Sequence, residues 1–157
     1  MKIGRLDVEI VGARVVFTGR IDDTSPLGEL WMKLPATDLT IDTEGVTFIN
    51  SVGMREWVRL LRSLTGGGTR TVTLDRIADV LMTQMNLMPR LDGVRISSFH
   101  AQYACNACGA EAALLVDATL HAALLARLQA PTLPCPECGA PMELADFPER
   151  YLTLFKA

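Results

Sequence analysis

Two matched cysteine motifs near the end of the chain restrict its possible folds more than any other feature. The segments 105–109 and 135–139 read CNACG and CPECG, so both follow the pattern C-x-x-C-G. Each C-x-x-C pair can place two thiolates on one metal ion, and two pairs complete a tetrahedral site without the open position that catalytic zinc needs. The predicted ligands of one structural Zn²⁺ ion are therefore Cys105, Cys108, Cys135 and Cys138.

Other chemistries of the four cysteines stay open at this point. Two disulfides, a redox-active C-x-x-C motif, or an iron site of the rubredoxin or iron–sulfur type would use the same residues. The first residues lack an apolar run of signal-peptide length, so we expect a cytoplasmic protein, in which thiols stay reduced and favour metal. His100 and His121 are not needed as ligands, and we expect them on a strand and on a helix surface.

The paired motifs look like those of a zinc ribbon, which implies a small module over residues 100–157. The 26 residues between Cys108 and Cys135 exceed the usual spacing of that fold, and they predict an inserted helix over 118–129. A closing helix is predicted over 148–155. Such a module buries little core by itself, so the metal is expected to supply most of its folding energy.

A second informative stretch is 47–64, TFINSVGMREWVRLLRSL, which predicts the end of a buried strand, a tight turn and an amphipathic helix. Apolar residues recur there at helical spacing, at Met54, Trp57, Val58, Leu61 and Leu64. Asn50 and Ser51 offer side-chain oxygens to the helix start. Backbone N–H groups and the helix dipole favour a negative group at this position.

The turn Asn50-Ser51-Val52-Gly53 resembles the D-S-x-G signature of STAS domains, named after sulphate transporters and anti-sigma factor antagonists. The resemblance covers roughly residues 5–99, and Gly19 and Asp22 match the family pattern at the end of the second strand. This chain has Asn50 in place of the acidic residue and Val52 in place of the second serine.

In regulated STAS domains the first serine of the signature accepts a phosphate from a partner kinase, and Ser51 matches that position. The resemblance therefore implies a phosphoacceptor at Ser51. It also implies a partner-binding surface made of Asn50, Ser51, Val52, Gly53, Arg55 and Asp22. A plain helix cap at Ser51 is the alternative interpretation.

The predicted elements alternate as β-β-α-β-α-β-α-β, which indicates an α/β domain with a mixed sheet and helices on one main face, as the STAS resemblance also implies. We assign this domain to residues 1–99. Its expected strands are 7–10, 13–21, 38–42 with a bulge at 43–45, 69–74 and 94–99. A helix capped by Asp75 is expected to carry a stripe at Ile77, Leu81, Met85 and Met88 and to end at Pro89.

Composition narrows the function further. The formal charge of −3 does not indicate a nucleic-acid or membrane-surface partner, and no apolar stretch is long enough for a membrane span. Residues 1–99 contain no P-loop and no Cys–His pair, so we expect no enzyme. The expected function is signalling or scaffolding through a protein partner, such as a kinase-like anti-sigma factor or another regulatory protein.

Two further expectations concern partners. The alternative function is a nucleic-acid-binding zinc-ribbon regulator, although the segment 99–157 carries only Arg127, Arg150 and Lys156 against six acids. An open sheet edge would also be compatible with a homo-oligomer.

Overall fold

The computed structural model of the chain describes residues 1–68, 70–88 and 90–156. The first sheet has six strands in the spatial order β1-β2-β3-β4-β5-β6. Its strands are β1 (Lys2–Ile3), β2 (Leu6–Val11), β3 (Arg14–Ile21), β4 (Leu39–Ile49), β5 (Val72–Asp75) and β6 (Val94–Ile96). In the described part of the chain, no helix is long and apolar enough to cross a membrane.

Strand directions confirm a mixed sheet. The pairs β1/β2 and β2/β3 are antiparallel, whereas β3, β4, β5 and β6 run parallel to one another. The expected bulge is also present, because Val16 pairs with Asp42 while Thr18 pairs with Gly45, which leaves one extra residue on β4. The predicted strand start at Thr69, the helix stop at Pro89 and the terminal Ala157 lie outside the described residues.

The two faces of this sheet differ sharply in polarity. A row of Val15, Ile41, Leu74 and Ile96 runs across four strands, and the next row reads Arg14, Thr40, Thr73 and Arg95. Because side chains alternate between faces along a strand, these rows lie on opposite faces. The apolar face is covered by a helix, as the ring of Trp57 meets that of Phe17 edge-on at 5.8 Å.

The helix expected after the tight turn is confirmed as α1 (Ser51–Thr65). Of the predicted stripe, Trp57, Leu61 and Leu64 are buried. Met54 and Val58 are half-buried, and Leu60 is fully buried although it was not predicted. Helix α1 packs on the sheet and on a 3₁₀ helix, Leu27–Lys33, which precedes β4.

The second predicted helix is shorter than expected and starts later. It is α2 (Asp79–Met85), preceded by Ala78 as N-cap residue. Asp75 does not cap it, because its carboxylate accepts hydrogen bonds from the hydroxyls of Ser97 and Ser98 at 3.0 and 2.7 Å. Met82 and Met85 of α2 are buried core residues.

A second, antiparallel sheet of four strands lies in the cysteine-bearing part, in the order β8-β7-β10-β9. Its strands are β7 (Ser98–Ala104), β8 (Glu111–Asp117), β9 (Leu133–Pro134) and β10 (Pro141–Leu144). The strand predicted over 94–99 is thus divided between two sheets at Ser97. The predicted helix 118–129 is wrong in extent: only α3 (Ala122–Ala126) is helical, and residues 111–117 form a strand.

The chain closes with α4 (Glu149–Leu152) and a 3₁₀ helix, Thr153–Phe155. Tyr151 and Leu152 are buried, and the ring of Phe155 stacks on Phe99 of β7 at 5.3 Å. The side chain of Asn86, just after α2, bonds to backbone groups of Glu149 and Leu154. The closing segment therefore packs against both modules.

The two sheets meet at Ile77 and share one continuous hydrophobic core. The N–H of His100 donates to the carbonyl of Ile77 at 2.7 Å, and the N–H of Ile77 donates to the carbonyl of Ser98 at 3.2 Å. Ile77 and Phe99 form a parallel β-bridge and both are buried. Strand β7 thus contributes directly to the packing of the first module.

Candidate metal centre and candidate phosphoacceptor site

The two cysteine motifs fold into the same turn. In the first, the N–H of Cys105 donates to the carbonyl of Ala110 at 2.8 Å, and the N–H of Gly109 donates to the carbonyl of Cys105 at 2.9 Å. The second motif repeats both hydrogen bonds at equivalent positions, at 2.7 and 2.8 Å. Gly109 and Gly139 have φ of 75° and 76°, a conformation that glycine adopts without a steric penalty.

The four sulfur atoms form a compact cluster at the ends of these turns. All four Sγ atoms lie within 4.8 Å of one another. The Sγ–Sγ distance is 3.6 Å for Cys105 and Cys138, and 3.7 Å for Cys108 and Cys135. A tetrahedral ion with metal–sulfur bonds of about 2.3 Å separates its sulfurs by about 3.8 Å. The cluster therefore has the dimensions of a four-thiolate metal site, and all four cysteines are free of disulfide bonds.

The backbone also favours the thiolate form that a metal requires. The N–H groups of Cys108 and Ala107 and the adjacent thiols lower the pKa of Cys105 to about 7, whereas hydrogen bonds among the thiols raise the pKa values of Cys108 and Cys138. In the second motif the N–H of Glu137 donates to Sγ of Cys135 at 3.4 Å. Cys105 and Cys135 are buried, whereas Cys108 and Cys138 lie at the surface. One side of the cluster is thus protected from solvent by protein.

Neither histidine joins this cluster, which is the only potential metal-binding group of its kind among the described residues. His100 lies on β7, as expected, and its Nε2 is 3.4 Å from the carboxylate of Glu44. His121 occupies the N-cap position of α3 and is half-buried.

The start of α1 is capped by Asn50. Its Oδ1 accepts a hydrogen bond from the N–H of Gly53 at 2.8 Å. Ser51 is the first residue of the helix and is exposed. The alternative interpretation of Ser51 as a plain helix cap is therefore wrong, because the preceding residue supplies the capping oxygen. Arg55, one turn further along, is also exposed.

The helix start is held tightly against the end of β3. A Cβ atom added at Gly53 would lie 2.1 Å from the carbonyl oxygen of Ile21, well inside van der Waals contact. The N–H of Asn50 also donates to this carbonyl, at 3.4 Å. Since Asp22 directly follows Ile21, the Asp22 turn lies beside the start of α1, in which Val52 is half-buried.

Asp22 itself is buried, with a relative exposure of 2%. Its carboxylate accepts hydrogen bonds from the hydroxyl and the N–H of Thr24, at 2.6 and 2.9 Å, and these bonds hold the pKa of Asp22 below its ordinary value. Its other oxygen lies 3.6 Å from Arg5 and 3.5 Å from Arg20. Asp22 is therefore not accessible to a partner, whereas the two arginines that surround it are.

Sequence reasoning missed a charged cluster on the polar face of the first sheet. Asp42 is 1% exposed and accepts hydrogen bonds from Arg14 at 2.7 Å and from Nε of Arg76 at 3.0 Å. Arg14 also donates to Asp75 at 3.0 Å, and Ser98 of β7 donates to the same carboxylate. Burial opposes ionisation of Asp42, but the N–H of Glu44 and the two arginines outweigh it, so its pKa lies below the ordinary value.

A sequence signal for this cluster did exist. Asp42 and Asp75 each follow an apolar strand residue, and the two aspartates pair in register on adjacent strands. Two carboxylates placed opposite each other require cations between them. Which arginines supply the charge follows only from the three-dimensional structure.

Comparison with known proteins does not assign the chain to a family. No family model, no curated protein and no solved structure matches it.

Proposed function

We propose that this protein is a non-enzymatic signalling scaffold of STAS type, which binds a protein partner through the start of α1 and is switched by phosphorylation of Ser51. The observation that carries the proposal is that Asn50 and Ser51 have different roles at the turn. Asn50 fills the cap, so the hydroxyl of Ser51 is exposed and is not required to hold the helix. A phosphate can be added there without removing a structural hydrogen bond from the cap.

The proposed mechanism is electrostatic. A phosphate adds a charge of about −1.5 to −2 at neutral pH. It would lie at the N-terminus of a 15-residue helix, where the dipole stabilises anions. Arg55 is exposed one turn further along. The fold would change little, whereas the surface that a partner contacts would change its charge.

The Asp22 turn supports a partner surface that extends beyond α1. Arg20 lies beside the buried Asp22, and its guanidinium lies 3.8 Å from the ring centroid of Phe48. Arg5, on the other side of Asp22, has a side chain that is 63% exposed. The proposed surface thus carries Arg5, Arg20 and Arg55 beside the exposed Asp23; the arginines suit an acidic patch on the partner, and a phosphate at Ser51 would oppose that complementarity.

We further propose that the cysteine cluster holds one structural zinc ion. Four thiolates at tetrahedral spacing are the ligand set of structural zinc, and they leave no position for a catalytic water. Iron can use the same ligands. Elemental analysis of protein purified from its native cells separates the two, and a rubredoxin-like iron site would also give a coloured protein.

The alternative function, nucleic-acid binding by the ribbon, has weaker support. Of its three basic residues, Arg150 already pairs with Asp146 at 3.3 Å. A binding assay with single- and double-stranded nucleic acid at low salt tests this alternative, and a salt-sensitive complex would favour it.

Intact-mass spectrometry of the protein from native cells tests the phosphoacceptor directly. We expect a fraction of the wild-type protein to carry one added phosphate, and fragment spectra to place it on Ser51. The Ser51→Ala variant serves as the control and should lack it. A phosphate that persists in this variant would place the modification elsewhere.

A further inference from the structure

A cavity of about 360 Å³ lies between the two modules, away from both the cysteine cluster and the start of α1. Its walls come from the end of α2, strand β6, helix α3 and the closing 3₁₀ helix. Pockets for small molecules begin near 300 Å³ and occur preferentially between domains. Both the volume and the location are therefore those of a ligand site.

The walls of this cavity are mainly apolar. Met85, Ile96, Ala122 and Phe155 contribute to them, and Phe155 is fixed by its stacking on Phe99.

The charged residues that line the cavity are all basic. Arg90 and Arg95 line it, and none of the described lining residues is acidic. Arg90 donates to the carbonyls of Leu154 and Lys156, at 2.6 and 3.1 Å, and so holds the closing segment in place as one wall. Arg95 is exposed on the edge strand β6 and forms no ion pair with any residue that the structure describes.

We propose that this cavity binds an amphipathic anion, namely a medium-chain carboxylate whose apolar tail fills the cavity and whose head group pairs with Arg95. Arg95 lines the cavity at the sheet edge, and a guanidinium can pair bidentately with a carboxylate. At about 30 Å³ for each heavy atom, the share that one water takes in the liquid, the cavity accommodates about a dozen heavy atoms. Decanoate has this size. The proposal is independent of the proposed function, because it involves neither Ser51 nor the cysteines.

Calorimetric titration of the full, metal-loaded chain with decanoate, below the concentration at which it forms micelles, tests the proposal. We expect saturable binding of one decanoate per chain. Decanol, which keeps the tail but lacks the charge, should bind on the order of tenfold more weakly. Acetate, which keeps the charge but lacks the tail, should not bind measurably. Equal binding of decanoate and decanol, or no saturable binding of decanoate, would overturn the proposal.

Two pairs of variants locate the site. Ala122→Trp places an indole at the cavity and should abolish binding, whereas Ala123→Trp, at the next exposed position of α3 and outside the lining, should not. Arg95→Gln should weaken decanoate binding on the order of tenfold and leave decanol unaffected, while Arg62→Gln, on the exposed face of α1, should change neither. Unchanged binding in Ala122→Trp would place the ligand elsewhere and contradict the proposal.

A second measurement does not depend on whether the tryptophan variants fold. In wild-type protein with labelled methionine methyl groups, decanoate should shift the NMR signals of Met85 and Met88, which line the cavity. The signal of Met32, which is exposed on another element, should stay in place. Shifts at Met32 alone, or at neither lining methionine, would exclude the cavity as the binding site.

Discussion

The side-chain oxygen of Asn50 accepts a hydrogen bond from the N–H of Gly53 at 2.8 Å, so the residue before Ser51 caps helix α1. This relationship separates the structural role from the proposed regulatory role. Asn50 and Gly53 hold the turn, and Ser51 between them is exposed. The proposed switch thus lies on a helix start whose geometry is maintained by its neighbours.

The first prediction concerns this cap. Asn50→Ala should lower the free energy of unfolding by about 1 kcal/mol, the typical cost of losing an N-cap oxygen. Ser51→Ala should change it by less than about 0.5 kcal/mol, because an exposed residue without a capping role is replaced. Urea unfolding of the two variants and wild type measures both values. A larger loss of unfolding free energy in Ser51→Ala than in Asn50→Ala would mean that Ser51, and not Asn50, caps the helix.

The second prediction concerns the contact between α1 and β3. Gly53→Ala would place a Cβ atom 2.1 Å from the carbonyl oxygen of Ile21, so the helix must shift. We expect a loss of about 1–3 kcal/mol in unfolding free energy, the usual range for overpacking. Gly66→Ala is the matched control, since Gly66 has a φ of −59° and no atom within 4 Å of an added Cβ. Gly66→Ala should leave the free energy of unfolding unchanged. Similar losses of unfolding free energy in both variants would mean that the contact with Ile21 does not cause the loss in Gly53→Ala.

The third prediction concerns the metal. Because β7 bonds to Ile77 and packs in the shared core, removal of the proposed zinc ion should loosen the first module as well as the ribbon. Hydrogen exchange after treatment with a chelator should show faster exchange at the amides of Ile77 and His100, and chelator already saturated with zinc should have no effect. Faster exchange confined to residues 105–140 would show that the modules are energetically separate.

The fourth prediction concerns acid stability. The pKa of Asp42 is lower in the folded chain than its unfolded value near 3.9, so the charged carboxylate stabilises the fold above about pH 4. This contribution is lost as the pH falls through the folded pKa. Asp42→Asn should lower the free energy of unfolding by about 2 kcal/mol at pH 7. This loss is smaller than that expected for a fully buried ion pair, because Arg14 and Arg76 reach solvent.

The difference in unfolding free energy between wild type and Asp42→Asn should therefore shrink as the pH falls below about 4, because the unfolded wild-type chain then takes up a proton at Asp42 before the folded chain does. Urea unfolding of both proteins between pH 7 and pH 3 measures it, and acid effects on the cysteine cluster are common to the two proteins. A difference that stays constant over this range would show that the charge of Asp42 is not the stabilising feature.

The features that the sequence predicted well are set by local chemistry. The C-x-x-C-G spacing alone implies the turn in which Gly109 and Gly139 take a positive φ, and the structure brings their four sulfurs together. The turn and helix at Asn50 and Ser51 follow likewise from capping residues next to an apolar stripe. Each of these turns depends only on residues within a few positions of it, whereas the meeting of the two cysteine turns is a long-range contact.

The errors arose where distant residues decide the structure. Asp75 looks like a helix cap, but Arg14, Ser97 and Ser98 bind its carboxylate, and Ala78, three residues later, is the N-cap residue of α2. The helix predicted over 118–129 is limited to Ala122–Ala126, and residues 111–117, for which no element was predicted, form a strand that pairs with β7 along its whole length. Neither outcome can be read from a local window of sequence.

The most direct test of the central claim compares the partners of three forms of the full chain in extracts of its native cells. Wild type, Ser51→Ala and Ser51→Asp serve as baits, and mass spectrometry identifies the captured proteins. The account predicts a kinase-like or other regulatory partner that binds wild type and Ser51→Ala and is lost with Ser51→Asp. The same partners with all three baits would contradict the switch and make the protein a constitutive scaffold.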